Sequence, residues 1–378
     1  MTNRSEASPK IRVMIAMGTR PEIIKLAPLI WAAQRHPSIE TLVCHSGQHA
    51  DLAEPMLDYF QLKPDVLLEL MKSHSGLPAL FGGCMMRVDE VFREHRPQVV
   101  VTQGDTATCA AITLAAFYSR LPVVHVEAGL RTGDLFSPWP EELNRRVATL
   151  AADLHCAPTE FARDALVKEG VDPSKVIVSG NPVVDALQWT LKREGLCDLS
   201  KARESEKLVV LTAHRRENFG KPLEAICSAL LQLTERFQDH RFVFVTHPNP
   251  NAGPVVRRIL EGQSRIQLAP PMSYPEFVGM MAKARLIISD SGGIQEEAPT
   301  LGVPLLVTRN TTERPEAVHC GAAELIGTDE ALLVRRATEL LTNELAHAKM
   351  ANVTNPFGAG DAGQIIISEI VRRYHQLP

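Results

Sequence analysis

The sequence predicts an α/β protein of two domains, each built on a parallel β-sheet that helices cover on both faces. Three observations lead to this fold class. Short β-branched runs alternate with amphipathic stretches of helical length, which is the pattern of parallel sheets. The alternation stops near residue 192 and restarts at residue 207. The chain has 378 residues, which suits two domains of ordinary size.

The first half carries five predicted strands and begins with the most regular of them. Residues 11–17 are predicted as a buried strand, and residues 21–35 as a helix with proline in its first turn. The other predicted strands of this half are residues 41–45, 98–102, 123–126 and 175–178.

The second half repeats the pattern with strands predicted at residues 207–212, 241–246, 265–268, 286–289 and 304–307. A last helix is expected at about 363–374, where it could pack on the first domain. The predicted division is a disordered tail at 1–10, a first domain at 11–191, a linker at 192–206, a second domain at 207–360 and a C-terminal helix at 361–378.

Composition excludes several classes of protein. Hydrophobic residues make up 45% and charged residues 22%, so a disordered chain is excluded. The net charge of −4 argues against a nucleic-acid partner, and no run is long and apolar enough to predict a membrane partner. The N-terminus lacks the apolar core of a secretory signal. Seven scattered cysteines without a CxxC pair indicate a cytoplasmic protein without a zinc site.

A phosphate site is predicted where the strand at 286–289 ends. Asp290 is followed by Ser291, Gly292 and Gly293, which open a helix. Glycines allow a ligand to approach the backbone, and the N–H groups of a first helical turn attract anions. Glu297 lies in the same helix, where a carboxylate can accept from the hydroxyls of a ribose. The segment is equally compatible with a tight strand-to-helix turn, while the P-loop and the GxGxxG pattern are absent.

Two other strand ends carry basic residues. Arg20 follows the first strand and Lys25 lies about one helical turn later, an arrangement that can hold a phosphate. His214 follows the strand at 207–212 beside two arginines, where it can bind a phosphate or donate a proton. A solvated helix start explains Arg20 and Lys25 somewhat better, and a surface helix cap explains His214 about equally well.

Three carboxylates in the first half form the predicted acid cluster. Asp105 and Glu127 each follow a predicted strand, and Glu141 lies in the segment SPWPEELNRR. Each alone is more simply a helix-capping acid. Together they are expected to meet at one sheet edge, where partly buried acids supply both an acid and a base.

No metal is expected, because His45 and His49 lack a third ligand at suitable spacing.

Several long motifs resemble one known family. These are GTRPEIIKLAP, QGDT, HVEAGLRTGDLFSPWPEELNRR, LTAHRREN and SDSGGIQEEAPTLGVPLLVTRNTTERPEA. They resemble the non-hydrolysing UDP-N-acetylglucosamine 2-epimerases, in order and over nearly the whole chain. The resemblance implies a glycosyltransferase-B-like fold, two Rossmann-like domains around a central cleft, a UDP-sugar substrate, no cofactor and a homodimer.

The resemblance also implies roles for individual residues. The resemblance assigns catalysis to Asp105, Glu127, Glu141 and His214. It assigns substrate binding to Arg20, Lys25, Phe277, Ser291, Gly292, Gly293, Glu297 and Arg314, with Met272 and Phe277 near the uracil. The implied reaction is reversible C2 epimerisation of UDP-N-acetylglucosamine to UDP-N-acetylmannosamine for surface polysaccharide precursors. It would proceed by anti elimination of UDP to 2-acetamidoglucal and re-addition.

One segment departs from the family pattern. Many relatives carry an MQPGQ-like stretch that helps to hold a second substrate molecule as an allosteric activator, whereas this chain has MKSHSG at 71–76. Gln48 and His49, in the HSGQH segment, are kept and are assigned to such an allosteric site. We therefore expect activation by UDP-N-acetylglucosamine to be weak or absent.

Three other functions are compatible with parts of the sequence. A UDP-sugar glycosyltransferase would share the nucleotide site but need an acceptor site in place of the acid cluster. A hydrolysing epimerase would release free N-acetylmannosamine and UDP. A non-catalytic UDP-sugar sensor would not need the three acids and His214.

Overall fold

The computed structural model describes residues 10–47, 50–70, 76–199, 201, 207–215, 218–246 and 253–376. By backbone contacts the chain divides into two units. The first comprises Met1–Ala186 and Phe357–Pro378, and the second comprises Leu187–Pro356. The chain therefore leaves the first unit after Ala186 and returns to it at Phe357.

The first unit is built on a seven-stranded parallel sheet with the order β3-β2-β1-β4-β5-β6-β7. β1 and β4 are buried throughout, apart from partly exposed Arg12, because their near-continuous apolar residues are covered on both faces. The strands are β1 Ile11–Met17, β2 Ile39–His45, β3 Val66–Leu67, β4 Val99–Gln103, β5 Val123–Val126, β6 Leu154–Ala157 and β7 Val176–Val178.

The second unit contains a six-stranded parallel sheet with the order β10-β9-β8-β11-β12-β13. Phe242 and Phe244 of β9 pack with Leu230 in the core on one face of this sheet. The strands are β8 Leu208–Thr212, β9 Arg241–Val245, β10 Ile266–Ala269, β11 Ala284–Ser289, β12 Leu305–Val307 and β13 Ala323–Leu325.

Helices connect successive strands in both units. In the first unit they are α1 Arg20–Arg35, α2 Ala50–Tyr59, α3 Gly76–His95, α4 Ala107–Tyr118, α5 Glu141–Ala151, α6 Glu160–Lys168 and α7 Pro182–Arg193, which runs into the second unit. The second unit contains α8 Lys221–Arg236, α9 Gly253–Leu260, α10 Tyr274–Lys283, α11 Gly292–Leu301, α12 Pro315–His319, α13 Glu330–Thr342 and α14 Glu344–Ala351, and α15 Ala362–Tyr374 follows in the first unit.

The C-terminal helix α15 packs on α1, within the first unit. A Cβ atom at Gly363 would lie 2.9 Å from the carbonyl carbon of Pro28, so glycine permits this close approach. The Asp185 carboxylate accepts the N–H groups of Ala362 and Gly363 and thereby caps α15.

The predicted fold class is confirmed, and the ten predicted strands form with ends shifted by two residues or fewer. Three short strands escaped prediction: β3, β6 and β13. No helix of the described residues is long and apolar enough to cross a membrane. All seven cysteines are free thiols.

Candidate active site

Both sheets have the strand order of a doubly wound fold, in which ligands bind where the strand order reverses. Helices diverge on either side of the point where the order reverses, which lies between β1 and β4 in the first unit and between β8 and β11 in the second. The residues that follow these strands therefore lie at the edge of the sheet where a ligand is expected. Most of the candidates from the sequence occupy these positions.

A buried glutamate joins two of the strand ends in the first unit. The Glu22 carboxylate accepts the backbone N–H groups of Gly18 and Thr19 and the hydroxyl groups of Thr19 and Thr106. The first three donors follow β1, and Thr106 follows β4. Burial raises the pKa of Glu22, although these hydrogen bonds oppose the shift. Glu22 thus fixes the turn before Arg20 relative to the turn that carries Asp105.

Lys25 and Glu127 form a buried ion pair beside this junction. The Lys25 Nζ atom contacts Glu127 Oε1, and both side chains are more than nine-tenths buried. Gln103 donates its amide to Glu127 Oε2, and Asn181 Nδ2 lies 3.0 Å from Glu127 Oε1. Glu127 has a φ of 63°, a left-handed backbone conformation that is strained for a residue with a side chain. The carboxylate is therefore held in one orientation by a cation and two amides.

Asp105 is paired with a different cation. Arg145 Nη2 lies 2.7 Å from Asp105 Oδ2, and Arg145 Nη1 lies 2.9 Å from the fully buried carboxylate of Glu142. Asn144 donates to the Asp105 carbonyl at 2.8 Å. Asp105 remains about a quarter exposed, so its carboxylate at the edge of the sheet is open to a ligand.

Glu141 is the first residue of α5, next to the segment that supports Asp105. Its Oε2 atom is buried and has no hydrogen-bond partner among the described residues. Glu141 begins a helix, whereas Asp105 and Glu127 follow the adjacent strands β4 and β5. Arg20 is partly exposed at the start of α1.

Two histidines lie in the sheet beneath these acids. His125 of β5 and His155 of β6 are register partners, and both are buried. Burial lowers the pKa of His125 to about 4 and that of His155 to about 3. His125 Nε2 lies 2.8 Å from the Gly104 carbonyl oxygen, an acceptor, so Nε2 carries the proton. Both histidines are therefore neutral at pH 7, and His125 supports the turn that carries Asp105.

In the second unit, buried Asp290 organises the loop after β8. Its Oδ2 accepts the N–H groups of His214 and Arg215 and the Asn218 amide, at 2.8, 2.8 and 2.9 Å. His214 Nδ1 lies 3.0 Å from Asp290 Oδ1. Burial alone would raise the pKa of Asp290, but His214 and these donors outweigh burial and lower the pKa below its usual value. The aspartate thus orients the His214 imidazole through Nδ1.

The predicted phosphate turn begins α11, with Ser291 at the N-cap and Gly292 and Gly293 in the first turn. A Cβ atom at Gly292 would lie 2.6 Å from Arg314 Nη1. Arg314 is buried and donates to Glu296 and Glu313, in each case at 2.6 Å. The glycine therefore admits a guanidinium group to the positive end of the helix, where an anion is favoured.

Glu297 lies farther along α11 and is buried. Its Oε1 accepts the hydroxyl group of Tyr274, which begins α10, at 2.8 Å. Phe277 and Met272 are both partly exposed, within α10 and just before it. Gln48 and His49, assigned from the sequence to an allosteric site, lie outside the described residues.

Sequence reasoning missed the residues that hold these side chains. Gln103, Arg145 and Glu22 lie inside the motifs that carried the resemblance, but their patterns do not reveal which carboxylate or turn they contact. Asn181 follows β7, and Tyr274 follows the segment after β10. Their positions after strands were the available signal, because the ends of parallel strands meet at one edge of the sheet.

Two doubly wound parallel sheets with these strand-end residues define a two-unit Rossmann-like protein of the glycosyltransferase-B-like class. The family model described as UDP-N-acetylglucosamine 2-epimerase matches residues 32–371, and the chain belongs to this family.

Similar proteins match over almost their whole length. The UDP-N-acetylglucosamine 2-epimerase of Bacillus subtilis is 42% identical over 97% of this chain and 96% of its own. The crystal structure of the Neisseria meningitidis enzyme bound to UDP-GlcNAc has a TM-score of 0.91, with 39% identity over 96% of this chain and 100% of that chain. A Staphylococcus aureus structure with UDP has a TM-score of 0.87, with 36% identity over 97% and 96%.

Proposed function

We propose that the protein catalyses the reversible C2 epimerisation of UDP-N-acetylglucosamine to UDP-N-acetylmannosamine. The observation that carries this proposal is the position of Asp105 and Glu127, two carboxylates paired with cations at the ends of adjacent strands β4 and β5. The near full-length similarity to epimerases of this name supports the same reaction.

The proposed chemistry begins with loss of the C2 proton. That proton is a very weak acid, so its removal by a carboxylate must be coupled to departure of UDP from C1. The C2–H and C1–O bonds break, a C1=C2 double bond forms, and UDP leaves with the electron pair of the C1–O bond. The bound products are 2-acetamidoglucal and UDP. Return of a proton to the opposite face of C2, with re-addition of UDP oxygen at C1, gives the epimer.

Asp105 and Glu127 are the groups that we assign to proton transfer at C2. Both are paired with cations and hydrogen bonded, which fixes the orientation of the carboxylates that would take up and return the proton. Glu141 contributes a buried carboxylate oxygen without a described partner, which can accept a proton or a sugar hydroxyl.

The second unit supplies groups suited to the nucleotide. The α11 N-terminus and Arg314 suit the diphosphate, and His214 can donate a proton or a hydrogen bond to it as UDP departs. Glu297, already an acceptor for Tyr274, suits the ribose hydroxyls. We assign Phe277 and the Met272 backbone to the uracil, and Arg20 and Lys25 to the substrate in the first unit.

Incubation with UDP-N-acetylglucosamine in D2O, followed by proton NMR, tests the proposal. We expect deuterium at C2 and the appearance of UDP-N-acetylmannosamine without any acceptor. Absence of exchange would instead indicate glycosyl transfer or a binding protein. Accumulation of free N-acetylmannosamine with UDP would indicate a hydrolysing epimerase.

We also propose that the protein is a homodimer that supplies UDP-N-acetylmannosamine to surface polysaccharide synthesis. Phe117, Tyr118 and Leu150 of the first unit are 56%, 74% and 86% exposed and line one shallow depression. An apolar surface of this kind suits contact with a second copy of the chain. Light scattering after gel filtration should give twice the chain mass of 41.6 kDa, whereas a monomer mass would exclude the dimer.

A further inference from the structure

Asn181 is a fully buried polar residue that directly precedes α7, and the sequence motifs did not single it out. Its Oδ1 atom accepts the backbone N–H of Val183 at 3.2 Å, as the side chain of a helix N-cap does. Because Oδ1 is an acceptor, the amide nitrogen is the atom that faces Glu127. Asn181 Nδ2 lies 3.0 Å from Glu127 Oε1.

The backbone of Asn181 is fixed by the segment where the chain returns to the first unit. Its N–H donates to the carbonyl of Phe357, a fully buried residue, at 2.6 Å. Gly180 has a φ of 78°, and a Cβ atom there would lie 3.1 Å from the Phe357 oxygen. The turn is therefore pressed against Phe357, and the Asn181 side chain has little freedom to reorient.

Glu127 needs a partner that fixes the orientation of its carboxylate. Its backbone is in the left-handed conformation, and its Oε1 atom is shared between Lys25 and Asn181. The Gln103 amide directs Oε2, but at Oε1 Lys25 alone would define the position of the oxygen only loosely, because an ammonium group is a point charge without fixed direction. A planar amide from a rigid turn adds that direction.

We propose that Asn181 is a positioning residue that orients the Glu127 carboxylate for proton transfer at C2. The inference rests on the proposed epimerase function, since it gives Glu127 its catalytic task. Asn181 acts through Glu127, and its own support comes from the helix cap and from Phe357.

The substitutions Asn181→Asp and Asn181→Ser separate this role from helix capping. Both variants keep a side-chain oxygen for the Val183 N–H and the backbone bond to Phe357, but neither keeps the amide donor to Glu127. Asn343→Asp is the matched control, because Asn343 is an exposed N-cap of α14 that accepts from Leu345 and Ala346.

We expect both Asn181 variants to lower kcat by about ten- to a hundredfold, the range for loss of a hydrogen bond to a charged group. KM for UDP-N-acetylglucosamine should stay within about twofold, and Asn343→Asp should match the wild type. In Asn181→Asp the loss of kcat relative to the wild type should become smaller as the pH falls. The two adjacent carboxylates then share a proton, which restores a hydrogen-bond donor to Glu127. The Asn181→Ser deficit should be independent of pH.

The assay is deuterium entry at C2 between pH 5 and 9, with a thermal melt of each variant as a check on folding. Folded Asn181 variants with wild-type kcat at every pH would overturn the inference and leave the epimerase function intact. A purely structural role predicts equal, pH-independent losses that follow the loss of thermal stability, and this result would also overturn it. Wild-type protein without deuterium exchange would overturn the proposed function and the inference with it.

Discussion

Gly292→Ala is the substitution whose consequence the structure specifies most closely. The new Cβ atom would lie 2.6 Å from Nη1 and 2.9 Å from Cζ of Arg314. The end of an arginine side chain normally moves aside at little cost. Arg314 has no such freedom, because it is 7% exposed and donates to both Glu296 and Glu313 at 2.6 Å.

The expected magnitude follows from these contacts. An ordinary carbon–nitrogen contact needs about 3.5 Å, so the guanidinium group must move by about 1 Å. One of its two ionic hydrogen bonds must then break, at a cost of about 1.5–3 kcal/mol. The higher helix propensity of alanine offsets about 0.5–1 kcal/mol of this cost. The net loss is about 1–2 kcal/mol of unfolding free energy, or about 2–8 °C in Tm for a unit of this size.

The assays are a thermal melt and calorimetric titration with UDP. We expect the lower Tm and, because the displaced group is assigned to the diphosphate, about tenfold weaker binding of UDP. Gly293→Ala is the control for stability, since its Cβ atom would meet nothing closer than Ser291 Oγ at 4.0 Å. Equal melting temperatures for the two variants, with unchanged UDP affinity for Gly292→Ala, would refute the reasoning.

Three further predictions concern other parts of the molecule. Arg145→Leu should lower the unfolding free energy by about 1.5–3 kcal/mol in chemical denaturation, because it removes an ionic hydrogen bond from the buried Glu142 carboxylate. A loss below about 1 kcal/mol would contradict the pairing. His155→Gln should reduce the pH dependence of stability between about pH 3 and 6.5. The folded wild type resists protonation of His155 while the unfolded chain accepts it, so wild-type stability falls as the pH falls through this window. Parallel profiles of stability against pH for the two proteins would contradict the low pKa of His155. Conversion of UDP-N-acetylmannosamine should show little stimulation by a trace of UDP-N-acetylglucosamine, and a strong dependence on the trace would overturn the expectation drawn from residues 71–76.

The fold was predictable because the sheets are buried on both faces. Strands β1, β4, β8 and β11 are mostly apolar runs, and such runs are visible without any knowledge of their neighbours. The missed strands are short or polar. β6 has the sequence LHCA, with a histidine that is buried only because the sheet surrounds it. Local pattern cannot reveal that kind of burial.

The candidate site was predictable in its reactive groups but not in their supports. Asp105, Glu127 and His214 follow predicted strands, so their approximate location was accessible from topology. Their partners Arg145, Asn181 and Asp290 lie 40, 54 and 76 residues away along the chain. Such pairings are set by the packing of whole elements, which spacing in one sequence does not encode.

Positional isotope exchange tests the central claim most directly. UDP-N-acetylglucosamine labelled with 18O in the bond between C1 and the β-phosphate would be incubated with the protein and followed by 31P NMR. The proposed elimination frees UDP in the site, so the label should scramble into the non-bridging oxygens of the β-phosphate as the epimer forms. Epimerisation with the label retained at the bridging position would contradict departure of UDP and the whole mechanism with it.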